Sequence, residues 1–284
     1  MARVLLVGTA TLDLVFGLDH FPGADEEMRA QSLRTVRGGN AANTAVVLSQ
    51  LGHEVEFLGA LADAPETFVI TDDFARHNIG YTHCPRLPGK PPTSSIYLAG
   101  STRSIVHYRD LPELSAIHIE SVDLDRLDWA HFEGRNVAEV ERMMKWVREH
   151  KPDLFISLEL EKPRDNIDAL FPLADLLICS RHFARHFGYD NSHEFLRWMR
   201  QQAPQACIIA AWGEWGAYAL GPSDQLCHAP ARPPARVVDT LGAGDTFNAA
   251  VIDAAIRGQP VPELLQTACR LAGEKCGRCG FSLD

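Results

Sequence analysis

The chain of 284 residues is 46% hydrophobic and 23% charged, as is usual for a globular protein, and it carries a formal net charge of −10. That acidity excludes nucleic acid and anionic membranes as partners, because both require a basic surface. A small phosphate ligand stays compatible, since it needs only local positive potential. The length fits one large domain, or one domain with a small appendage.

Periodicity and breaker residues predict strands and helices in alternation along most of the chain. The predicted strands cover residues 3–8, 54–61, 93–99, 104–108, 129–133, 154–160, 176–179, 206–211, 217–220 and 236–238. The predicted helices cover residues 40–51, 66–78, 137–150, 182–187, 193–202, 246–257 and 262–275. This alternation is typical of an α/β protein with a mostly parallel central sheet and helices on both faces.

Two segments break the alternation, residues 11–37 and residues 90–120, and the second contains a predicted hairpin that turns at residues 99–102. We expect both segments to form a small β-sheet lid on a single domain spanning residues 1–284.

The cysteines and the lack of long apolar runs indicate where the protein resides. The seven cysteines have scattered spacing, so we interpret them as buried free thiols in a reducing cytoplasm. Cys276 and Cys279 form one C-x-x-C pair, and without a second pair no metal site is expected there. Residues 3–8 are interpreted as a buried strand, not a signal peptide, and no stretch approaches the roughly 20 apolar residues of a membrane span.

Five residues singled out here follow or end predicted strands. Ligands of parallel sheets bind beyond the carboxyl ends of the strands, so we expect these residues to cluster in one crevice. They are Gly8, Glu133, Glu159, Trp212 and Asp239.

The segment Asp239–Asp245, with the sequence DTLGAGD, joins a predicted strand to a predicted helix. Gly242, Ala243 and Gly244 place free amides at the helix start, where the helix dipole also favours an anion. Such a site suits the charge on a transferring phosphoryl group. Asp245 falls at the predicted N-cap, and the alternative is that it only caps the helix. No G-x-x-x-x-G-K-[ST] sequence occurs, which excludes a Walker loop.

A second glycine-containing segment, Arg37–Ala45, opens the predicted helix 40–51. Gly39 and the glycine before it allow the backbone to approach a ligand closely. Asn40 and Asn43 share one helix face, and amides that donate and accept hydrogen bonds suit sugar hydroxyls. The alternative is a plain glycine turn with Asn40 as the N-cap.

These two segments resemble the two signatures of the ribokinase-like (PfkB) carbohydrate kinases. Three further stretches resemble the ketohexokinase (hepatic fructokinase) group of that family, namely Phe132–Asn136, Glu159–Arg164 and Ala268–Gly277. The resemblance covers nearly the whole chain. It implies a ribokinase-like fold and phosphoryl transfer from ATP to a sugar, with ATP and Mg²⁺ as cofactors.

The resemblance also implies roles for single residues near the sugar. It makes Asp245 the catalytic base, which deprotonates a sugar hydroxyl as that oxygen attacks the γ-phosphate of ATP. The amides of Gly242–Gly244 would hold the transferred charge. Asp13 matches the family's sugar-binding acid, with a turn aspartate as the alternative. Asp239 orders the loop near a monovalent-cation site of the family, which makes K⁺ a candidate cofactor.

On the nucleotide side, the resemblance implies that the turn after strand 206–211 runs along the nucleotide, although a packed hairpin is the alternative. Arg103 resembles the lid arginine that reaches the ATP phosphates. Arg181 replaces a lysine and offers a planar fork in place of a point charge. A surface position is the alternative for both arginines. The full set is Arg103, Arg181, Gly213, Glu214, Trp215, Gly216 and Cys276.

One departure from the family concerns the metal. The family has an Asn-x-x-Glu motif after the strand near 176–179, and its acid helps to organise Mg²⁺. In the corresponding stretch, Cys179–His182, His182 replaces the acid, and an imidazole is a poor ligand for a hard cation. We assign no metal ligand there. His182 and His186 have the spacing of a metal pair, but we favour exposed helix residues.

We therefore expect an ATP-dependent sugar kinase. The resemblance favours a ketohexose such as fructose, phosphorylated at its C1 hydroxyl, and a homodimer formed through the β lid. Glu133, Arg135 and Asn136 are expected at the sugar pocket, with a structural role as the alternative. A kinase for another sugar or sugar derivative and a sensor without turnover stay open. An NAD-dependent oxidoreductase is excluded, because no G-x-G-x-x-G follows the first strand.

Overall fold

The structure is a computed structural model that describes residues 1–100 and 102–283. Ser101 in the predicted hairpin turn and Asp284 at the end of the predicted domain lie outside the described residues. The strands are β1 (Arg3–Val7), β2 (Thr11–Leu18), β3 (Ser32–Gly38), β4 (Glu54–Leu58), β5 (Leu61–Ala62), β6 (Arg86–Leu87), β7 (Thr93–Ala99), β8 (Thr102–Tyr108), β9 (Trp129–Glu133), β10 (Phe155–Leu160), β11 (Leu176–Ser180), β12 (Cys207–Ala211), β13 (Ala217–Leu220) and β14 (Leu226–Ala229). The helices are α1 (Asn40–Gln50), α2 (Phe68–Arg76), α3 (Val137–His150), α4 (Arg181–His186), α5 (Ser192–Gln202), α6 (Ala243–Ile256) and α7 (Val261–Cys276).

The large sheet has eight strands in the order β14-β13-β12-β11-β10-β9-β1-β4. Neighbouring strands from β4 to β12 pair in parallel, whereas β13 and β14 add an antiparallel edge. The central strands are buried on both faces, which explains their nearly continuous apolar runs. The mostly parallel α/β fold predicted from the sequence is confirmed, while β14 was not predicted.

Helices cover both faces of this sheet, because successive side chains of each strand point in opposite directions. Leu5 and Val7 of β1 pack into one core layer with side chains of α3 and α5. Val4 and Leu6 of the same strand pack into the other layer with side chains of α1, α6 and α7. Helix α6 is buried along nearly its whole length, so its position is set by packing.

The small sheet has four strands in the order β3-β2-β7-β8, and it is built from the two segments expected to form the lid. Strands β2 and β7 pair in parallel and both outer pairs are antiparallel. Asp13 and Val15 point to one face of the sheet and line a cavity, whereas Leu14 and Phe16 alternate to the opposite face. All seven residues of β8 are exposed.

The start of α1 differs from the expectation that Asn40 is the N-cap. Gly39 is the N-cap, and Asn40 is the first residue of the helix. Gly39 has a φ of +96°, and a Cβ atom there would lie 2.2 Å from the carbonyl oxygen of Thr9. Only glycine fits this close approach, which leaves the Asn40 side chain free for other partners.

The segment before α6 also differs from the prediction. Residues 236–238 form no strand, because the amides of Val238 and Asp239 donate to the carbonyl oxygen of Cys276, at 2.8 and 3.2 Å. Helix α6 begins at Ala243 with Gly242 as its N-cap, three residues before the predicted start at 246. Asp245 is therefore the third residue of the helix and not its N-cap.

The structure bears on two expectations, the lack of a membrane span and the state of the cysteines. Within residues 1–100 and 102–283, no helix combines the length and the hydropathy that a transmembrane span requires. The seven cysteines are free thiols, and Cys179, Cys227 and Cys269 are buried. Cys84, Cys207 and Cys276 are half-buried and Cys279 is exposed, so the expected burial is wrong for these four.

Candidate active site

The carboxyl ends of the parallel strands open onto a crevice between the large and small sheets. Glu133 ends β9, Glu159 lies near the end of β10, and Asp245 faces them from the first turn of α6. Asn40 and Asn43 reach the same crevice from the first turn of α1. The two segments with the family signatures therefore meet in space, although about 200 residues separate them.

The Asp245 carboxylate is buried and has a direct partner in the segment Arg37–Ala45. Its side chain accepts a hydrogen bond of 2.6 Å from Nδ2 of Asn43, and its carbonyl accepts one of 3.3 Å from the Thr44 hydroxyl. Burial raises the pKa of Asp245 to about 7, and the nearby carboxylates of Glu161 and Glu133 act in the same direction. Asp245 thus binds a proton about as tightly as a base that works at neutral pH does.

Arg37 fixes the orientation of the Asn43 amide. Its Nη1 donates to Oδ1 of Asn43, and its Nε donates to Oδ2 of Asp73 at 2.6 Å. Because the Asn43 oxygen is occupied by a donor, the amide nitrogen must point to Asp245. A chain of hydrogen bonds from α2 through Arg37 and Asn43 therefore holds the carboxylate in place.

Glu159 lies among the other acids and is itself buried. Its Oε1 accepts hydrogen bonds from Nδ2 of Asn248 at 2.9 Å and from Nδ2 of Asn40 at 3.2 Å. Within the part of the chain that the structure describes, Oε2 has no hydrogen-bond partner. Burial raises the pKa of Glu159 well above its usual range, and the negative charge of Asp245 adds to this effect.

The glycine-containing turn forms the other side of the crevice. Gly242 adopts a left-handed conformation with a φ of +76°, which glycine tolerates. The first bond of α6 runs from the Thr246 amide to the Gly242 carbonyl at 2.9 Å. The amides of Gly244 and Asp245 lie ahead of that bond and have no partner within the helix, so they can receive an anion.

An apolar cavity of about 410 Å³ adjoins this turn. The predicted nucleotide-side residues Gly213, Glu214, Gly216 and Cys276 line it, together with Ala243 and Gly244 of the turn. Trp215 is not among the lining residues, and its exposed fraction is 58%. A cavity large enough for an aromatic base therefore lies beside the free amides at the start of α6.

The two predicted phosphate-side arginines lie at the rim. Nη1 of Arg103 donates to the Thr240 hydroxyl at 3.0 Å, which brings the β7–β8 hairpin to the glycine-containing turn. Nη1 of Arg181 donates to Oε1 of Glu214 at 2.9 Å, beside the apolar cavity. Each arginine thus has a partner in a segment that the resemblance assigns to the nucleotide side, and its role there stays a prediction.

Asp13 lines a second cavity, of about 480 Å³, together with Asn43 and Asp239. Its Oδ1 accepts a hydrogen bond of 2.7 Å from the Thr11 hydroxyl, and burial raises its pKa. Gly39 and Asn40 begin α1 but do not line this cavity, and the Asn40 amide donates instead to Glu159 and Glu161. Of the predicted sugar-side residues, Asp13 and Asn43 thus share one cavity, and the assignment of all four to the sugar stays a prediction.

The trio at the end of β9, Glu133, Arg135 and Asn136, has well-defined protein partners. Glu133 accepts from the Thr9 amide at 2.8 Å. Nε of Arg135 donates to Glu113 at 2.9 Å, and Nδ2 of Asn136 donates to the Leu114 carbonyl at 3.1 Å. Arg135 and Asn136 thus hold the segment that follows the small sheet, which gives them a structural role in addition to any contact with a ligand.

Four residues important to this geometry had no role in the sequence prediction, namely Arg37, Asn248, Glu161 and Lys275. Glu161 accepts a hydrogen bond from Asn40 at 3.1 Å. Arg37, Glu161 and Lys275 lie inside the quoted motif stretches, which was the available signal. Burial of a charged side chain depends on partners that are distant in sequence, so the motifs alone did not predict roles for these residues.

Comparison with known proteins defines the class. The sequence profile of the pfkB family carbohydrate kinases matches residues 1–283, so the chain belongs to this family. It is an ATP-dependent carbohydrate kinase.

Among individual relatives, the chain is 39% identical to ketohexokinase from Mus musculus, over 98% of this chain and 97% of the relative. The fold is similar to that of ribokinase from Giardia lamblia, with a TM-score of 0.84 and 16% identity over 99% and 95% of the two chains. It is also similar to Arabidopsis thaliana ribokinase complexed with ribose and ATP, with a TM-score of 0.80 and 18% identity over 98% and 94%. The ribokinase-like fold is thereby confirmed.

Removal of the buried charge at position 245 gives a prediction that needs no substrate. A carboxyl whose pKa is raised by folding contributes stability at low pH, and that stability is lost as the pH rises through about 7. The Asp245→Asn variant should therefore gain stability relative to the wild type between pH 5 and pH 8, by roughly 2–3 kcal/mol at about 1.36 kcal/mol per pH unit. Urea unfolding at both pH values measures the difference.

The matched control is Asp153→Asn, which alters an exposed acid at the opposite end of β10. This control should show the same stability difference from the wild type at both pH values. An Asp245→Asn variant whose advantage is equal at pH 5 and pH 8 would contradict the raised pKa.

Proposed function

We propose that the protein is a ketohexose kinase that transfers the γ-phosphate of ATP to the C1 hydroxyl of a sugar such as fructose, with Asp245 as the general base. The observation that supports this best is the position of Asp245. A buried carboxylate with a pKa near neutrality lies one residue after the free Gly244 amide, at the positive end of α6.

The chemistry follows from that position. The Asp245 carboxylate takes the proton of the sugar hydroxyl while the hydroxyl oxygen forms a bond to the γ-phosphorus. The bond between that phosphorus and the β–γ bridging oxygen breaks, and ADP leaves. In the Gly242–Gly244 turn, the free Gly244 amide stabilises the negative charge on the transferring group, whereas the Ala243 amide already donates to the Thr240 carbonyl at 3.4 Å. A positioned base contributes roughly 10²–10⁴ in rate.

The neighbouring groups tune this base. Asn43 donates to Asp245 and keeps its orientation, while burial and the nearby acids raise its pKa. A carboxylate with a higher pKa binds a proton more tightly, so it removes the proton of an alcohol more effectively at neutral pH. In this proposal Asp13, Asn40 and Asn43 bind the sugar hydroxyls, and Glu133 lies at the same end of the crevice.

ATP would lie across the glycine-containing turn. The apolar cavity beside Gly213, Gly216 and Cys276 has the size and lining for the adenine base, since planar apolar walls suit an aromatic ring. Arg103 and Arg181 at the rim would contact the phosphates, where a guanidinium can bind two oxygens at once. The anionic part of ATP would thus meet the free amides of α6.

The residues present do not form a protein cage for Mg²⁺. Among residues 1–100 and 102–283, no group of three or more histidine, cysteine or acidic side chains is arranged to hold a metal ion. His182 and His186 are both exposed, and the His186 ring packs on Phe187. Mg²⁺ would therefore arrive with the nucleotide, and no step of the proposed reaction depends on a protein ligand to it.

K⁺ is left as a candidate cofactor only on the resemblance. The carbonyl oxygen of Asp239 accepts a hydrogen bond from the ammonium of Lys275 at 2.9 Å, so this oxygen already interacts with a cation of the protein.

The choice of a ketohexose is supported by the 39% identity to mouse ketohexokinase over nearly the whole chain. The alternatives are a kinase for another sugar or sugar derivative, supported by the 27% identity to ribokinase from Bacillus subtilis (strain 168), and a sensor without turnover. The intact base and anion site count against the sensor.

An ADP-release assay across a panel of ketoses and aldoses tests the proposal. We expect the highest kcat/KM with fructose or a close ketohexose. The Asp245→Asn variant should lose at least roughly 10²-fold in kcat at nearly unchanged sugar affinity, because only the proton acceptor is removed.

Asp153→Asn is the control in this assay and should match the wild type. Turnover only with aldoses would reject the ketohexose assignment. Sugar binding by calorimetry without ADP release would favour the sensor, and normal kcat in Asp245→Asn would reject the base.

The pH profile gives an independent check of the base. Since the base must be ionised and its pKa is raised to about 7, kcat/KM should fall about tenfold per pH unit below that value. A profile of initial rates between pH 5 and pH 9 at saturating ATP measures this limb. A rate that is constant down to pH 5 would show that the ionisation of Asp245 does not control catalysis.

We also propose that two copies associate through the small sheet. One face of that sheet carries Leu33, Val106 and Tyr108, with exposed fractions of 57%, 60% and 57%. Phe16 and Tyr97 stack on the same face, with ring centroids 5.5 Å apart. An apolar sheet face of this kind is typical of a protein interface, and the resemblance implied a homodimer here.

The Val106→Lys variant should shift the protein from dimer to monomer, because a lysine at the centre of an apolar interface loses its hydration on association. Light scattering coupled to size exclusion measures the mass. Ile117→Lys is the matched control, since Ile117 is equally exposed, at 59%, but lies outside the small sheet. A wild-type monomer, or a Val106→Lys variant that stays dimeric, would reject the proposed interface.

A further inference from the structure

Lys275 is an unusual residue for the interior of this protein. It lies in the last turn of α7, and its exposed fraction is only 2%. Lysines are almost never buried without a partner, because an ammonium loses its hydration on burial. The proposed reaction does not use Lys275, so its burial requires another explanation.

The ammonium contacts Asp239 through two kinds of oxygen. Nζ donates to the carbonyl oxygen of Asp239 at 2.9 Å and lies 3.6 Å from its carboxylate oxygen Oδ2. Burial lowers the pKa of Lys275, and the charge of Asp239 counteracts this effect. The lysine and the aspartate thus form a buried ion pair at the first residue of the DTLGAGD segment.

Asp239 passes this contact to the glycine-containing turn. Its Oδ1 accepts a hydrogen bond from the Leu241 amide at 2.9 Å, one residue before Gly242. The backbone at Val238 and Asp239 is bonded to the carbonyl of Cys276, the residue after the lysine. Residues 236–238, which precede the turn, form no strand, so the end of α7 holds the turn through these hydrogen bonds.

The C-terminal segment covers the pair. The Phe281 ring lies 5.8 Å from Nζ of Lys275 and packs against Gly242, where an added Cβ atom would be 2.2 Å from the ring. Gln50 of α1 holds this segment by donating to the Phe281 carbonyl at 2.8 Å. The ring therefore excludes water from the ion pair, which strengthens the electrostatic interaction.

We propose that Lys275 is a positioning residue of the phosphate-binding turn, whose ammonium holds both the carbonyl and the carboxylate of Asp239 and thereby sets the position of the Gly242–Gly244 amides. This proposal deepens the proposed function and rests on it. Lys275 does not contact the reacting atoms. Its effect on turnover comes from the accuracy of the turn, where a displacement of about 1 Å can cost roughly 10²-fold in rate.

The test compares Lys275→Met, which fills the space without a charge, with Lys275→Ala, which leaves a cavity next to the two oxygens of Asp239. We expect Lys275→Met to lower kcat by roughly 10²-fold while the calorimetric affinity for the sugar stays unchanged. Added ethylammonium should restore most of the lost kcat in Lys275→Ala, because it can occupy the cavity. It should not restore Lys275→Met, in which the cavity is filled.

A second readout needs no turnover. Ethylammonium should raise the melting temperature of Lys275→Ala and leave that of Lys275→Met unchanged, because a ligand stabilises only a protein that binds it. If the wild type phosphorylates no sugar, the proposed function is rejected. The thermal shift still tests whether an ammonium at this position binds the oxygens of Asp239.

Arg200→Met is the control for general destabilisation. Arg200 donates to the carbonyls of Ala206 and Gly221 at 2.7 and 2.6 Å, away from the crevice. This variant should melt at a lower temperature and keep its kcat. The proposal is overturned if Lys275→Met keeps the wild-type kcat, if Lys275→Ala responds to ethylammonium in neither readout, or if Arg200→Met loses kcat to the same extent.

Discussion

The hydrogen bond between Asn43 and Asp245 joins the two halves of the site. It links the first turn of α1 to the first turn of α6, and it holds a carboxylate that burial would otherwise destabilise. An ionised acid in a low-dielectric crevice costs free energy unless it has donors and nearby positive charge. The donor is Asn43, and the positive charge comes from the N-terminal end of α6 and from Arg37, which contacts Asn43. The position of α1 therefore determines whether the ionised Asp245 is stabilised.

That constraint explains why the helices around the site are packed so closely. Helix α6 is buried along nearly its whole length between α1 and α7, with small residues such as Ala249 and Ala250 at the contacts. Small side chains allow helices to approach closely, and a closely packed interior resists small displacements. The first turns of α1 and α6 are therefore held at a fixed separation, which a 2.6 Å hydrogen bond requires.

The sequence predicted the sheet and the two signature turns well, because both depend on local patterns. Continuous apolar runs identified the central strands, and glycines identified the turns. Strand 236–238 was wrong for a physical reason. Val237 and Val238 are β-branched and favour strands, yet they have exposed fractions of 52% and 50%, and the backbone beside them bonds to the end of α7. Tertiary contacts decided the conformation there.

The helix start at Ala243 was missed for a related reason. Gly244 is a poor helix former, so local propensity placed the start after the glycines, whereas packing of the α6 side chains extends the helix back to Ala243. The roles of Arg37 and Lys275 could not be predicted either. Charged residues are mostly exposed, and nothing local distinguishes the few that are buried against an acid far away in sequence.

The distribution of charge also separates the two substrates of the proposed reaction. Acids dominate the end of the crevice near Asn40, where burial, with a smaller contribution from the charge of Glu161, raises the pKa of Glu133 and of Glu159. A neutral sugar can occupy that end because its hydroxyls donate hydrogen bonds to these carboxylate oxygens, whereas a polyphosphate would be repelled. The other end has free amides and the rim arginines Arg103 and Arg181. In the proposed reaction, the acids that raise the pKa of Asp245 therefore also favour binding of ATP on the side of the turn with the free amides and the arginines.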